Sequence, residues 1–371
     1  EGGVLCGPLP GAGSMRVGWA RDLTLRFDPD ASGTLTGAFA TSVGSFRVKG
    51  SVDPLGRSAL RAVLTRPDLS GMENLFGTAG PVSRAGEGAG AFTFAFGGGG
   101  MPVLAGSLTL EEVRLEGVAV SLRNVLLVVR GAQGGIWAPA LNLAASTARW
   151  ETVVFEDVRL LVAPDAGAAA TGSARLWGGE LELEGGRGEG FWGRGSLRGA
   201  DLRRMPPDLF GAVTPTAGEV DVDFALEGGA LAGEFSARDA ALWSVPFLSG
   251  IRSAVPGFST GRELFRAVTG RFVHEGERTV LPALAMEAGG FRLDLARPGR
   301  IGPHRRLDLE FLLRLHRERR EGGLGPMRKV FEVLSDAVWK PFEKFILLRI
   351  RVGGTLDAPV HALLPVGRED R

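Results

Sequence analysis

The feature that most constrains this chain is a two-residue hydrophobic rhythm punctuated by glycine turns. Val220, Val222, Phe224 and Leu226 alternate with Asp221, Asp223, Ala225 and Glu227, and Gly228-Gly229 follows before Leu231, Phe235 and Ala237 resume. Successive side chains of a strand point to opposite faces, so this rhythm places four apolar residues on one side of a sheet and the carboxylates on the other. The same pattern runs through Glu180-Leu181-Glu182-Leu183-Glu184 ahead of Gly185-Gly186, and through Leu23, Leu25 and Phe27 ahead of the turn Asp28-Pro29-Asp30-Ala31-Ser32-Gly33. Leu108, Leu110, Val113, Leu115, Val118, Val120 and Leu122 form a longer series with one phase slip at Glu111-Glu112, which predicts a bulge. Val125 to Val129 is apolar without alternation, the pattern of a strand buried on both faces. Turn signals recur roughly every ten to fifteen residues, as in an antiparallel meander, with no fixed letter period of a propeller or leucine-rich array.

Composition narrows the classes further. The 57 glycines and 21 prolines lack a triplet period, and 44% hydrophobic residues suit a folded, turn-dense chain rather than a disordered one. Lys plus Arg (43) balances Asp plus Glu (42), so there is no overall field for a nucleic-acid partner. Cys6 is the only cysteine, which excludes an intramolecular disulfide and a cysteine-based zinc site. Leu5 is too bulky for the small residue expected before a lipoprotein cysteine, so Cys6 reads as a plain near-terminal thiol. No run approaches the roughly eighteen apolar residues that span a bilayer. With Glu1 rather than Met first, a signal or inner-membrane anchor segment upstream of residue 1 is expected.

Helical spacing appears mainly late. Arg203 to Phe210 reads as one turn around Pro206-Pro207; Phe247 to Val255 and Thr260 to Val268 read as short amphipathic segments; and Asp68 to Phe76 reads as a short helix. After Pro326, Met327, Val330, Phe331, Leu334, Val338, Phe342 and Phe345 make one apolar stripe opposite Lys329, Glu332, Asp336, Lys340 and Lys344, with a bend at Pro341. That stripe packs on a sheet, and its aromatic and lysine content leaves an interfacial role open. Leu348, Ile350 and Val352 then alternate with Arg349 and Arg351.

The closing RVGGTLDAPV, with the upstream VPFLSGIRSAVPG, LFRAVTGRFVHEGERTVLPALAMEAGGFRLDL and RRLDLEFLLRL, resembles the C-terminal region of the AsmA-like family of bacterial envelope proteins. The resemblance covers about the last third of the chain. It implies a long curved sheet whose greasy inner groove handles phospholipid or another acyl-chain lipid between two membranes, in the periplasm of a diderm envelope.

Signatures of catalysis do not accumulate. His274, His304, His316 and His361 have no paired ligand spacing, and His274 and His361, near turns, are expected to be solvated. Gly188, Gly190 and Gly193 spell G-x-G-x-x-G, but Arg194 to Gly199 reads as strand or turn, whereas a dinucleotide site needs a helix there. Glu180, Glu182, Glu184, Asp221 and Asp223 are expected on the solvent face, where rows of acids keep a sheet soluble. The chain is therefore read as non-enzymatic, with no cofactor and no metal. One dense basic region, including Arg297, Arg300, Arg305, Arg306, Arg314, Arg317, Arg319 and Arg320, reads either as solvated loops around the Leu307 to Leu315 strand or as contacts to anionic headgroups at a membrane surface. Arg305, Arg306, Arg317, Arg319 and Arg320 are the headgroup candidates.

The fold expected is mostly β: an elongated, curved antiparallel sheet forming an apolar groove, with a few short amphipathic helices towards the C-terminal end. Residues 1–240 are expected as an extended β-groove region and 241–371 as the C-terminal module. A sheet with one apolar face and few helices must curl over itself, stack, or keep that face for a ligand. Acyl chains need only a continuous apolar surface, since each buried methylene contributes about 0.8 kcal/mol. Groove candidates are Val220, Val222, Phe224, Leu226, Phe235, Phe291, Leu293, Leu309, Phe311 and Ile350. A structural or adhesive β-solenoid or sandwich with a filled core is the competing reading. The absence of tyrosine and the irregular turns disfavour an outer-membrane barrel with aromatic girdles.

Overall fold

The computed structural model describes residues 20–27, 33–41, 44–52, 58–67, 82–96, 103–115, 119–130, 140–163, 169–187, 191–210, 215–242, 244–248, 251, 264–288, 291–315 and 346–364. These are mostly β, and the pairings are antiparallel. The chain divides into two compact units, residues 1–175 with 184–187, and residues 176–183 with 188–371. The boundary expected at residue 240 falls inside the second unit.

The first unit carries β1 (Ala20–Phe27), β2 (Gly33–Thr41), β3 (Gly44–Val52), β4 (Ser58–Pro67), β5 (Val82–Phe96), β6 (Val103–Leu115), β7 (Val120–Arg130), β8 (Ala140–Trp150), β9 (Val153–Ala163) and β10 (Ala169–Leu176). From β1 to β9 each strand pairs with the next. Its buried centre is Val48, Ala62, Leu108, Leu110, Val113, Leu122, Val125, Ala145 and Ala148, with Leu127, Leu143, Phe155 and Val158 packed against it. The phase slip at Glu111-Glu112 lies opposite a register shift in β5 between Ala85 and Gly88. It also recurs on the neighbours: Val113 pairs with Leu122, Leu110 with Val125, Ala148 with Phe155 and Ala145 with Val158. Each of these strands thus repeats its buried residues at a spacing of three at one shared level. Asn124 (φ 51) and Asp157 (φ 52) absorb the extra residue in left-handed conformation, which Asn and Asp tolerate best after glycine. Val125 to Val129 departs from expectation: Val125 is buried but Leu126 is 39% exposed, so only one face of β7 is covered there.

The second unit carries β11 (Gly179–Arg187), β12 (Phe191–Asp201), β13 (Glu219–Glu227), β14 (Ala230–Ala240), β15 (Phe265–Glu275), β16 (Arg278–Ala288), β17 (Phe291–Leu295), β18 (Gly299–Ile301), β19 (Leu307–Leu315), β20 (Ile346–Gly354) and β21 (Pro359–Leu364). The hairpin turn between β13 and β14 is Gly228-Gly229 (φ 57 and 87), a pair of left-handed positions that glycine fills without steric cost. Here too the buried spacing slips by one residue, at Leu197/Ala200, Ala237/Ala240 and Phe265/Val268, around Gly199 (φ 65) and Asp239 (φ 50). That slip corrects the described part, 264–268, of the helix expected over Thr260 to Val268, whose first four residues lie outside the described ones. Phe265 and Val268 share a face because the register shifts between Phe265 and Ala267 within a strand, and this three-residue spacing imitates a helical one.

Helix is scarce among the described residues. Leu202–Arg204, Pro207–Phe210 and Pro303–Arg305 are short 3-10 turns, the first two where one turn was expected, with Asp201 capping the first through Arg203 N (2.9 Å). Pro246 to Leu248 and Ile251 are helical within the expected 247–255 segment. Val245, Leu248 and Ile251 are buried, and Phe247 stacks on Phe311 at 6.4 Å. The stripe of Val330, Phe331, Leu334, Val338, Phe342 and Phe345 and the short helix expected at 68–76 lie outside the described residues. Among the described residues no helix is long and apolar enough to cross a membrane.

The packed end of this unit is its mechanical anchor. Phe311 is 0% exposed between Phe247 and Ile350, whereas Leu226 on the same face is 39% exposed. Phe311→Ala is expected to cost about 3–5 kcal/mol, and Leu226→Ala less than about 1 kcal/mol, in urea-unfolding midpoints.

Candidate functional site

Cross-strand register assembles one apolar face over β12 to β16. Leu197 lies opposite Val222, Val222 opposite Phe235, Phe235 opposite Gly270 and Gly270 opposite Leu284. One step along, Gly195, Phe224, Gly233 and Phe272 form the next row; beyond it Leu226, Leu231, His274 and Thr279 form a third. Glycines and phenylalanines are matched across the strands. A Cβ on Gly195 would sit 2.5 Å from the Phe224 ring and 2.8 Å from Leu183 Cδ2; one on Gly233 would sit 2.8 Å from the Phe272 ring; and one on Gly270 would collide with Phe235. Each ring therefore lies down over a neighbouring strand's backbone, which shields that backbone and flattens the face.

Burial along this face is graded. At one end Leu181, Leu197, Val220, Ala237 and Val268 are buried; at the other Leu183 is 41% and Leu226 39% exposed, with Phe224, Leu231, Phe235 and Phe272 between. The cause is the distribution of connections. Among the described residues, the connections after β12 and β14 at the buried end contribute buried Leu202, Leu242, Val245, Leu248 and Ile251, while two-residue turns at Gly228-Gly229 and Gly276-Glu277 close the other end.

The ten groove candidates therefore separate into two sets. Val222, Phe224, Leu226 and Phe235 belong to the half-open strip, with Val220 at its floor, while Phe291, Leu293, Leu309, Phe311 and Ile350 are 0–3% exposed and form a packed core. In that core Phe265 meets Phe291 edge-on at 6.1 Å. Leu183, Leu231, Phe272 and His274 complete the strip. Their membership depends on strand register, which alternation within one strand does not reveal.

The opposite face is mostly polar, with one row of smaller apolar residues, Ala225, Ala232, Val273 and Val280, crossing it. Asp223 is paired with Arg198, Asp221 with Arg238 at 3.5 Å and Glu234 with Arg271 at 2.8 Å, and Asp221 also accepts from Gly199 N at 2.8 Å. A shallow depression of about 500 Å³ there is lined by these acids with Ser236, Thr269, Ala283 and Ala285. With every one of its carboxylates already holding an arginine, it presents no free acid and base pair. Gly193 lies within β12, so the G-x-G-x-x-G run is followed by strand and not by the helix a dinucleotide requires.

The basic region is partly neutralised from within. Arg305 binds Asp357 at 3.2 Å, and Arg297 binds Asp308 at 2.8 Å and Glu310 at 3.0 Å. Arg306 is exposed and bridges to Thr355 through its backbone, while Arg317, Arg319 and Arg320 lie outside the described residues. His274 is exposed, with Nδ1 2.9 Å from Thr279 Oγ1, but His361 departs from the expected solvation: it is half-buried, its Nε2 donating to the Phe247 carbonyl at 2.8 Å. Among the described residues no cluster of His, Cys, Asp and Glu is arranged to hold a metal.

Glu310 is the one buried charged residue among those described, 5% exposed and clamped between Arg297 and Arg349. Burial alone pushes its carboxyl up, but the hydrogen bonds from Arg349 and Arg297 outweigh this and hold it below the ordinary value of 4.5. Asp308 is likewise lowered, by its bond to Arg297. Comparisons of the chain with protein-family models, with curated proteins and with solved structures find no match.

A carboxyl lowered by folding binds its proton less readily in the native than in the unfolded chain. Its stabilisation is thus complete above the unfolded value and disappears as pH falls through the folded one. The unfolding midpoint is expected to drop as pH is lowered from 5 through the Glu310 and Asp308 titrations. Glu310→Gln should lower stability by about 1–3 kcal/mol at pH 7, by leaving two arginines short of an acceptor, and should flatten the acid slope in urea titrations at stepped pH.

Proposed function

We propose that this chain is a non-enzymatic lipid-handling module of a diderm bacterial envelope, of the AsmA-like kind, which holds the acyl chains of phospholipid or a similar lipid in an apolar β-groove. The observation that carries the reading is the graded exposure of one continuous apolar face, packed at one end and half-open at the other. A face meant only as a core gains by being covered throughout, because apolar area left in water forfeits about 25 cal/mol per Å². Leaving Leu183, Phe224, Leu226 and Phe235 half-open is reasonable if the missing cover is a ligand. A soft aliphatic chain suits this surface, which has no hydrogen-bonding side chain in its two inner rows and is smoothed by phenylalanines lying over glycines.

The curvature that makes a groove of the face, a place between two membranes and contact of Arg305 and Arg306 with headgroups are parts of the same proposal. The competing structural or adhesive role takes its support from Phe291, Leu293, Leu309, Phe311 and Ile350, which are sealed against any ligand in this conformation.

Protein purified without detergent is expected to carry phospholipid or fatty acid, detected by mass spectrometry of an organic extract. A Phe224→Asp/Leu226→Asp double variant, placing charge on the half-open strip and leaving the packed core intact, should retain less than about a tenth of it, since two charges in an acyl-lined site each cost more than the 1.4 kcal/mol of a tenfold loss. Lipid-free wild-type protein would favour the structural role.

A further inference from the structure

The third row of the apolar face contains the only titratable side chain on the half-open strip. His274 follows Leu226 and Leu231 across the sheet and is exposed, and Thr279 beside it completes the row. The row closes the strip at the turn end, where the face meets solvent. An amphiphile whose tail lies on the strip brings its head to this place.

We infer that His274 and Thr279 bind the carboxylate of a long-chain fatty acid whose tail runs along β13 and β14 towards Val220 and Ala237. The inference rests on the lipid-handling reading and adds to it the class of lipid and the residues that recognise its head. Three observations carry it. The first is length: from Leu231 to Ala237 is six residues of strand, about 20 Å at the usual rise, and an acyl chain reaches about 15 Å across one leaflet of a bilayer. The strip is long enough for such a tail and ends on buried Val220, Ala237 and Val268.

The second is the hydrogen-bonding state of the ring. Nδ1 is 2.9 Å from the Thr279 hydroxyl. With that hydroxyl donating to Nδ1, the ring proton sits on Nε2 and is offered outward; with the ring protonated both nitrogens donate, and Thr279 turns its own proton to the ligand. The neutral pair offers an anion one donor, Nε2–H, and the protonated pair offers two, Nε2–H and the Thr279 hydroxyl.

The third is the number of donors. In the protonated pair one ring N–H and one hydroxyl match the two oxygens of a carboxylate, whereas a phosphate is generally taken by arginine or lysine. The arginine nearest in this hairpin, Arg278, pairs by register with Glu275 on the other face of the sheet. Glu227 and Glu275 also belong to that other face, so they do not occupy the row of His274.

The test is displacement of a fluorescent fatty-acid probe from the full chain by dodecanoate, methyl dodecanoate and dodecyl phosphate. Dodecanoate is expected to bind about tenfold tighter than its methyl ester, the factor given by a single hydrogen bond to a charged group. His274→Ala should bring dodecanoate down to the ester without changing the ester itself, and His274→Gln, which keeps a side-chain N–H, should restore part of the difference. If the ester binds wild type as tightly as dodecanoate, the headgroup assignment is overturned while the lipid-handling reading stands. If dodecyl phosphate is preferred over dodecanoate, the carboxylate assignment is overturned in favour of a phospholipid head. If none of the three displaces the probe and extracts hold no lipid, the failure lies with the lipid reading itself. Unchanged thermal unfolding of the His274 variants separates a lost contact from a lost fold.

Discussion

One apolar face that the described residues cover at only one end is the constraint on which the rest of the described structure depends. An antiparallel meander satisfies its backbone hydrogen bonds internally, so what remains to be settled is where its greasy side goes. In the second unit the answer is local. At one end of β12 to β15 the connections carry the buried residues Leu202, Val245, Leu248 and Ile251, with Phe247 stacked on Phe311, and those at the other end are two residues long. Uneven connection length thus becomes uneven burial, and uneven burial makes one end of the face a core and the other a surface.

The row of bulges serves the same arrangement. A strand that slips by one residue bends and twists more sharply at that point. Here the slips are shared by neighbouring strands, so the apolar set keeps to one face on both sides of the irregularity. Without that concerted shift, a bulge in β14 alone would send Leu231, Gly233 and Phe235 to the polar face, and the strip would be interrupted by one strand of charged residues. The left-handed residues at the slips, Asn124, Asp157, Gly199 and Asp239, are of the types that adopt this conformation at least cost, so local propensity and sheet register agree.

How far this was legible in the sequence follows from how local each signal is. Alternation in Val220 to Leu226 and in Leu348 to Val352 identified the strands and their apolar sides, because the period of two belongs to a single strand. The slip at Glu111-Glu112 was equally visible. The slip at Phe265 was misread as helix, since three-residue spacing in a short segment fits both a bulged strand and a helical turn. Nothing within one strand distinguishes Phe311, sealed at 0% exposure, from Phe224 on the half-open strip. That difference is set by which connection folds over which strand. Glu310 shows the same limit from the polar side: its neighbours in sequence are those of a solvent-facing acid, and only the approach of Arg297 and Arg349 from two other segments buries it.

The polar face and the apolar face also differ in what a partner finds there. Arginine and carboxylate pairs across β12 to β15 are exposed, so each contributes little to stability, but together they leave few charges unmatched around the row of smaller apolar residues, Ala225, Ala232, Val273 and Val280, on that side. Of the two sides, the one that carries Val222, Phe224, Leu231, Phe235 and Phe272 offers the larger apolar side chains. On that side the inner rows offer no hydrogen bonds, so affinity there rises with the length of hydrocarbon laid down and discriminates poorly between tails. Under the proposed role, selectivity among lipids would then come from the edge of the strip, where His274 and Thr279 put polar atoms beside Leu231 and Leu226. On the proposed lipid-handling role, a surface of this kind would separate two tasks: the strip would set how strongly a lipid is held, and the rim which lipid is held.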